Sequence, residues 1–191
     1  MAARRVALSR AVSHALRHEP WLYEIEVDDE GWAPIGDLVE ALRRDRQWRG
    51  LTAAEVDEMV RSATKQRHEV LGDRIRALYG HSLPYRIAKT PGVPLDVLFH
   101  GTATEAVPTI LSTGLLPMAR QYVHLSADVA TALAVGGRKS EQVTVLVIDA
   151  AAARAGDVVF LRGNEQVWLA EHVPAPYLRV KESSDVARDE S

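Results

Sequence analysis

The 191-residue chain has no cysteine, and that absence excludes disulfide staples, thiolate metal sites and thiol nucleophiles together. Aromatic residues are scarce at 6%, and no apolar run approaches the roughly 18 residues that a membrane-spanning helix needs. Met1-Ala-Ala-Arg-Arg leads into an amphipathic segment without a secretory signal, so a soluble, cytoplasmic protein with no membrane partner is expected. None of the 12 glycines falls into G-x-G-x-x-G or G-x-x-x-x-G-K-[ST], and H-E-x-x-H and G-x-S-x-G are missing too. His14 and His18 stand one helical turn apart but have no third ligand near in sequence, so no metal is expected. An excess of positive charge is also lacking. Residues 1–90 carry 15 basic and 14 acidic side chains, and the remainder carries 8 and 12, which gives the net charge of −3. Contacts with phosphate must therefore come from clustered arginines rather than bulk charge.

What is present is ordinary globular composition, 47% apolar and 26% charged, enough for one large domain or two small ones. Leu8, Ala11, Val12, Ala15 and Leu16 form a helical stripe closed by Arg17 and His18. Ile25 and Val27 alternate with acids and predict a short strand, after which Pro34 opens a second helix. Thr52 and Glu55 have capping-box spacing and start a third helix with Val56, Met59, Val60 and Ala63 inward. Gly72-Asp73 then joins two strands, 68–71 and 74–78, as a hairpin. Three helices followed by a hairpin is the order of a winged helix, expected over 1–82. Residues 83–95, with Pro84, Pro91, Gly92 and Pro94, predict a linker. Short strands at 97–99, 122–125, 143–148, 158–160 and 167–169, with two or three helices, predict an α+β domain over 96–180. The tail 181–191, rich in acids and serine, is expected to be disordered.

Candidate site residues each have an ordinary alternative. Arg17 and His18 can simply complement a helix dipole, and Arg67 and Arg76 can decorate the hairpin. His81 can mark the end of the wing, and Arg120 can be a plain loop arginine. His100-Gly101-Thr102 is more specific: a strand-end histidine, a glycine permitting close approach and a helix-capping threonine suit a phosphate- or ribose-bearing ligand. Ser126 is expected to cap the helix that runs to Gly136-Gly137.

Taken in order, these segments resemble the RNA 2′-phosphotransferase family. The resemblance rests on Leu8-Ser9-x-Ala-x-Ser13-x-x-Leu16-Arg17-His18-x-Pro20, Asp29-x-Gly31-Trp32, Lys65-Gln66-Arg67 and Ile75-Arg76-Ala77-x-x-Gly80-His81-Ser82. It continues through Leu98-Phe99-His100-Gly101-Thr102, Arg120-Gln-x-Val123-His124-Leu125-Ser126 and Val167-Trp168-Leu169. It implies a winged-helix lobe joined to an ADP-ribosyltransferase-like lobe, in an NAD+-dependent, metal-independent transferase that is expected to be monomeric. The implied substrate is a tRNA-like RNA carrying an internal 2′-phosphate. That phosphate attacks NAD+ with loss of nicotinamide. The 2′-phospho-ADP-ribosyl RNA then yields 2′-OH RNA and ADP-ribose 1″,2″-cyclic phosphate. The implied catalytic set is Arg17, His18, Arg67 and Arg120. Cofactor contacts fall to His100, Gly101, Thr102, His124, Ser126 and Val167, and RNA contacts to Arg76 and His81. The sequence departs from the family pattern at His68, where Phe is usual, at Tyr122, and at Glu165-Gln166 after Asn164. Two other readings compete: ADP-ribosylation of terminal nucleic-acid phosphates, and a winged-helix regulator with an NAD-sensing lobe.

Overall fold

The stripe of Leu8, Val12, Ala15 and Leu16 folds as helix α1 (Ala2–Arg17), and all four side chains are buried. The computed structural model describes residues 2–138 and 140–182. Helices α2 (Ile35–Arg43) and α3 (Ala53–Arg61) bring Leu38, Leu42, Val56 and Met59 into one core with that stripe, closed by Trp48 and Leu51. The capping box forms as expected: Thr52 Oγ1 accepts from the Glu55 amide at 3.2 Å, and the Glu55 carboxylate accepts from the Thr52 amide at 3.0 Å. Ala63, expected inward, lies beyond the end of α3 and is exposed.

The strand expected at Ile25 and Val27 does not form. Pro20–Tyr23 make a 3-10 turn, and Glu24, at φ 55, reverses the chain so that the Ile25 amide donates back to the Pro20 carbonyl at 3.1 Å. Local closure has taken the backbone donor that a ladder would use, although Ile25 is still buried. The strand appears later, as β1 (Trp32–Pro34), and joins the predicted hairpin of β2 (His68–Leu71) and β3 (Arg74–Ala77). The sheet is antiparallel in the order β1-β3-β2. Pro34 ends this edge strand and precedes α2, a place where its missing N–H breaks no ladder bond.

The chain divides into two units, Met1–Lys89 with Ala119–Gln121, and Thr90–Met118 with Tyr122–Ser191. The stretch 83–95 is thus shared: residues 83–89 go with the first unit, where Leu83 and Ile87 are buried, and 90–95 go with the second. The tail 183–191 lies outside the described residues.

The second unit carries β4 (Val97–Ala103), α4 (Val107–Thr113), β5 (Val123–Ser126), α5 (Val129–Gly136) and β6 (Val143–Asp149). It continues with α6 (Ala150–Ala155), β7 (Phe160–Arg162), β8 (Val167–Ala170) and β9 (Leu178–Val180). Its sheet runs β7-β8-β5-β4-β6-β9, with every neighbouring pair antiparallel. The α+β class is therefore as expected, but three local expectations fail. His100-Gly101-Thr102 is no strand-to-helix corner. It is strand interior, paired rung by rung with Leu146, Val145 and Thr144. Thr102 consequently caps nothing, and α4 is entered through a 3-10 turn at Thr104–Ala106. Ser126 is the last residue of β5, and the cap of α5 is Asp128, whose carboxylate accepts from the Thr131 amide at 2.6 Å. Val158 and Val159 precede β7 rather than forming it.

Gly101 is required by packing. A Cβ there would collide with the Ala132 carbonyl, because α5 lies directly on β4. The close approach that the sequence suggested is made by a helix of the same unit.

Candidate functional site

Arg17 is the last residue of α1, and the Ser82 amide donates to its carbonyl at 2.9 Å, which ties 80–82 to the helix end. The Arg17 guanidinium donates from Nη2 to the Arg67 carbonyl at 3.0 Å and lies 5.2 Å from the centre of the Tyr79 ring. Gly80 makes room for it. At φ +87 it has a backbone conformation that side chains rarely adopt, and a Cβ would stand 3.3 Å from Arg17 Nη1. Burial lowers the Arg17 pKa to about 10; Tyr79 opposes that shift, while the charges of Arg67 and Arg120 add to it. No carboxylate is among the groups acting on it. Its Nε is buried and has no hydrogen-bond partner among the described residues. A buried donor left unsatisfied costs roughly 1–3 kcal/mol, more when charged, and the positive neighbours of Arg17 make its surroundings electrostatically favourable to an anion.

His18 follows directly, with Nδ1 2.8 Å from Ser82 Oγ. Burial, then Arg17, His14 and Arg120, lower its pKa below the usual value, and Glu19 only partly opposes them. Its neutral form is therefore favoured at neutral pH. Arg67 sits at the entry to β2, where its carbonyl accepts from both Arg17 and the Leu78 amide. Beneath it the His68 ring is buried, and Nε2 lies 3.0 Å from Ser13 Oγ on α1. Where the sequence departs from the usual Phe, a polar pair thus joins helix to strand.

Arg120 belongs to the first unit, not to the second as its place in the chain suggested, because Ala119–Gln121 groups there. Gln121 is the anchor. Its Oε1 accepts from the Ile87 amide at 3.0 Å, its Nε2 donates to the Leu83 and Tyr85 carbonyls at 3.2 and 2.5 Å, and its amide donates to the His81 carbonyl at 3.3 Å. The four expected catalytic residues are therefore all carried by one unit. Arg17, His18 and Arg67 line a single groove of 710 Å³, and the charge of Arg120 bears on both Arg17 and His18.

The two expected RNA-contacting residues are placed differently. Arg76 donates from Nε to Glu69 at 2.7 Å, and its guanidinium lies 4.4 Å from the centre of the Trp32 ring. His81 is buried at 3% exposure, beside Gly31, and its carbonyl helps hold Gln121.

In the second unit, Ser126 pairs with Val167 and His124 with Leu169, so His124, Ser126 and Val167 share one face of the β5–β8 ladder. Pairing of β4 with β5 is confined to Phe99 opposite Ser126. At the adjacent position His100 Nδ1 donates to the His124 carbonyl at 2.9 Å, so the ring bridges the strands where the ladder stops. Because a carbonyl can only accept, that bond puts a proton on Nδ1. Asn164 builds the turn into β8, its Oδ1 accepting from the Gln166 and Val167 amides at 2.9 and 2.7 Å. No acid stands at the Val167 position. Among the described residues no group of three or more His, Asp and Glu is arranged to hold a metal ion.

Sequence reasoning missed Ser13, Tyr79, Ser82 and Gln121 as supports of the cationic set. Ser13, Ser82 and Gln121 lie inside the quoted motifs, but no local pattern says that their partners are tens of residues away.

Burial and the charges of Arg17 and Arg67 push His68 down to about 3. The unfolded chain binds that proton near pH 6.5, so the stability carried by neutral His68 is complete above that pH and is lost as pH falls toward 3. Urea unfolding between pH 4.5 and 7.5 should show a decline that His68→Phe makes shallower, by up to about 1.4 kcal/mol per pH unit. Identical slopes in the two proteins would contradict a buried neutral histidine.

The sequence model of the family described as RNA 2′-phosphotransferase, Tpt1 / KptA, matches residues 3–172. The chain is 44% identical over 172 residues to a protein of Acetivibrio thermocellus, covering 90% of this chain and 94% of that one. It is 43% identical over 176 residues to one of Bacillus thuringiensis subsp. konkukian, covering 92% and 95%. A protein of Pyrococcus furiosus is 37% identical over 171 residues, covering 90% and 92%. All three are described as probable RNA 2′-phosphotransferases. With a family model matched across most of its length and relatives 37–44% identical over about nine-tenths of it, the chain is a member of the RNA 2′-phosphotransferase family.

Proposed function

We propose that the protein removes an internal 2′-phosphate from RNA, such as a spliced tRNA, by transferring it to NAD+. The observation that carries this reading is the cationic cluster around Arg17, whose part-buried guanidinium feels the charges of Arg67 and Arg120 but no carboxylate and keeps an unsatisfied Nε. A phosphate monoester bears nearly two negative charges and three acceptor oxygens, and guanidinium forks match that geometry without a metal. In this proposal Arg17, Arg67 and Arg120 hold the 2′-phosphate of the RNA. In the tautomer that accepts the Ser82 hydroxyl at Nδ1, neutral His18 carries its proton on Nε2, where it can donate to a phosphate oxygen and later take part in proton transfer.

The NAD+ contacts are assigned to the second unit, on an ADP-ribosyltransferase-like fold, with the first unit a winged-helix lobe. The residues present are polar groups of the kind a dinucleotide uses: the His100 and His124 rings and the Ser126 hydroxyl, on adjacent strands. NAD+ supplies an anomeric carbon with nicotinamide as leaving group. The phosphate oxygen bonds to that carbon as nicotinamide departs, and the ribose 2″-hydroxyl then bonds to phosphorus as the RNA 2′-oxygen leaves with a proton. An apolar Val167 suits such an acceptor, because a phosphate is already anionic and needs no carboxylate to activate it. The arginines stabilise charge on the phosphoryl oxygens during the second step.

Incubation with an RNA bearing one internal 2′-phosphate, with and without NAD+, tests the reading by following ADP-ribose cyclic phosphate. Formation only with NAD+ is expected, and NAD+-independent phosphate release would overturn it. Arg67→Ala and Arg120→Ala should each slow turnover roughly 10²–10³-fold while leaving the protein folded. Gln121→Leu, which frees the backbone carrying Arg120, should slow it by up to about 10²-fold through misplacement alone. Near-normal turnover in all three would remove these residues from the site.

A further inference from the structure

The groove that ends at Arg17, His18 and Arg67 does not stop there. It continues along α1 toward its N-terminus, lined by Ser9, Arg10 and Arg5, with Ser62, Thr64 and Lys65 after α3 on its other side. No aspartate or glutamate lines it. Its two outer arginines also differ from their neighbours. Arg4 lies 3.4 Å from Glu55 and over the Trp48 ring, and Arg61 pairs with Asp57 at 2.6 Å. Arg5 and Arg10 are exposed and make no hydrogen bond or ion pair among the described residues.

Helical spacing sets these charges in a row. Arg10, His14 and Arg17 fall at i, i+4 and i+7, so Arg10 precedes Arg17 by about 10 Å and Arg5 by about 18 Å along the axis. A single small anion needs one such position. A row of separated cations alternating with hydroxyls suits a polyanion with regularly spaced phosphates. The β2–β3 hairpin is the other surface where RNA contacts were expected, but its arginines are already engaged, Arg76 by Glu69 and Arg74 by Asp28.

We propose that this α1 groove seats the single-stranded RNA flanking the 2′-phosphorylated nucleotide, with Arg5 and Arg10 taking backbone phosphates. The proposal rests on the phosphotransferase reading and adds the path of the substrate strand. The catalytic cluster would then grip the 2′-phosphate, and the outer arginines would determine how much a longer RNA gains over a minimal one.

The test uses the full chain and an Arg5→Ala/Arg10→Ala double variant. Both positions are exposed and helical, and alanine is the best helix former, so the variant keeps its fold. Binding of a fluorescein-labelled single-stranded RNA with one internal 2′-phosphate is followed by anisotropy at several salt concentrations. Turnover of that RNA is compared with turnover of a dinucleotide carrying the same phosphate. The double variant should bind the long RNA about tenfold or more weakly. The slope of log affinity against log salt should become shallower by about 1.4, roughly 0.7 for each lost single-strand phosphate contact. KM should rise on the long RNA with kcat retained, and dinucleotide turnover should not change. Unchanged affinity and salt slope in the double variant would overturn the proposal. So would an Arg76→Ala variant that lost the salt slope instead, since the strand would then run over the hairpin. If the unmodified protein turned over neither RNA, the phosphotransferase reading would fail, and the anisotropy slope would still decide where RNA lies.

Discussion

A part-buried guanidinium set among charges of its own sign is the constraint on which the first unit depends. Arg17 gains one hydrogen bond from the Arg67 carbonyl and a ring face from Tyr79, and nothing acidic. Partial burial beside like charges disfavours the charged form, and the rest of the unit must offset that cost. The buried stripe of α1 fixes the helix that ends at Arg17, and Gly80 and Ser82 fold around that end. The Ser13–His68 pair joins α1 to the strand that follows Arg67, and Gln121 holds Arg120 through side-chain bonds to three backbone groups. These supports act on the carriers of the charges rather than on the charges themselves.

The second unit solves a different problem, with hydrogen bonds rather than charge. Its expected contacts come from strands joined by backbone ladders, and one of them, His100, bridges β4 and β5 where the ladder ends. Gly101, beside it, is consumed by the packing of α5. Position in a ligand motif and necessity for packing are thus separable at neighbouring residues. On the proposed reaction the divided chemistry has a simple logic: a dianionic acceptor needs cations to hold it, and a dinucleotide needs donors and acceptors in fixed directions.

Much of the architecture was legible in periodicity. The stripe of α1, the capping box of α3 and the Gly72-Asp73 hairpin are local signals whose partners lie within a few residues, and all three formed. Expectations failed where a local pattern met a competing partner. The alternation around Ile25 lost to a tight turn after Pro20, and Thr102 and Ser126 lost their capping roles to strand pairing, with Asp128 two residues on taking the second. The site was legible in a different way. Arg17, Arg67 and Arg120 are unremarkable as isolated charges, and only the ordered motifs singled them out. Their supports could not be read at all, because Gln121 and its partners are separated by more than 30 residues. Arg76 and His81 show the converse, motif residues whose side chains are engaged by Glu69 and Trp32 or buried.

The central claim is that the Arg17 cluster is shaped for the 2′-phosphate itself. Calorimetric titration at low ionic strength, with EDTA and without NAD+, compares one RNA in two forms, with a 2′-phosphate and with a 2′-hydroxyl at the same nucleotide. Charge-assisted hydrogen bonds of about 1.5–3 kcal/mol predict that the phosphorylated form binds roughly 10- to 100-fold more tightly. Equal affinity for the two RNAs would contradict the account, because the clustered cations would then be answering the RNA backbone alone.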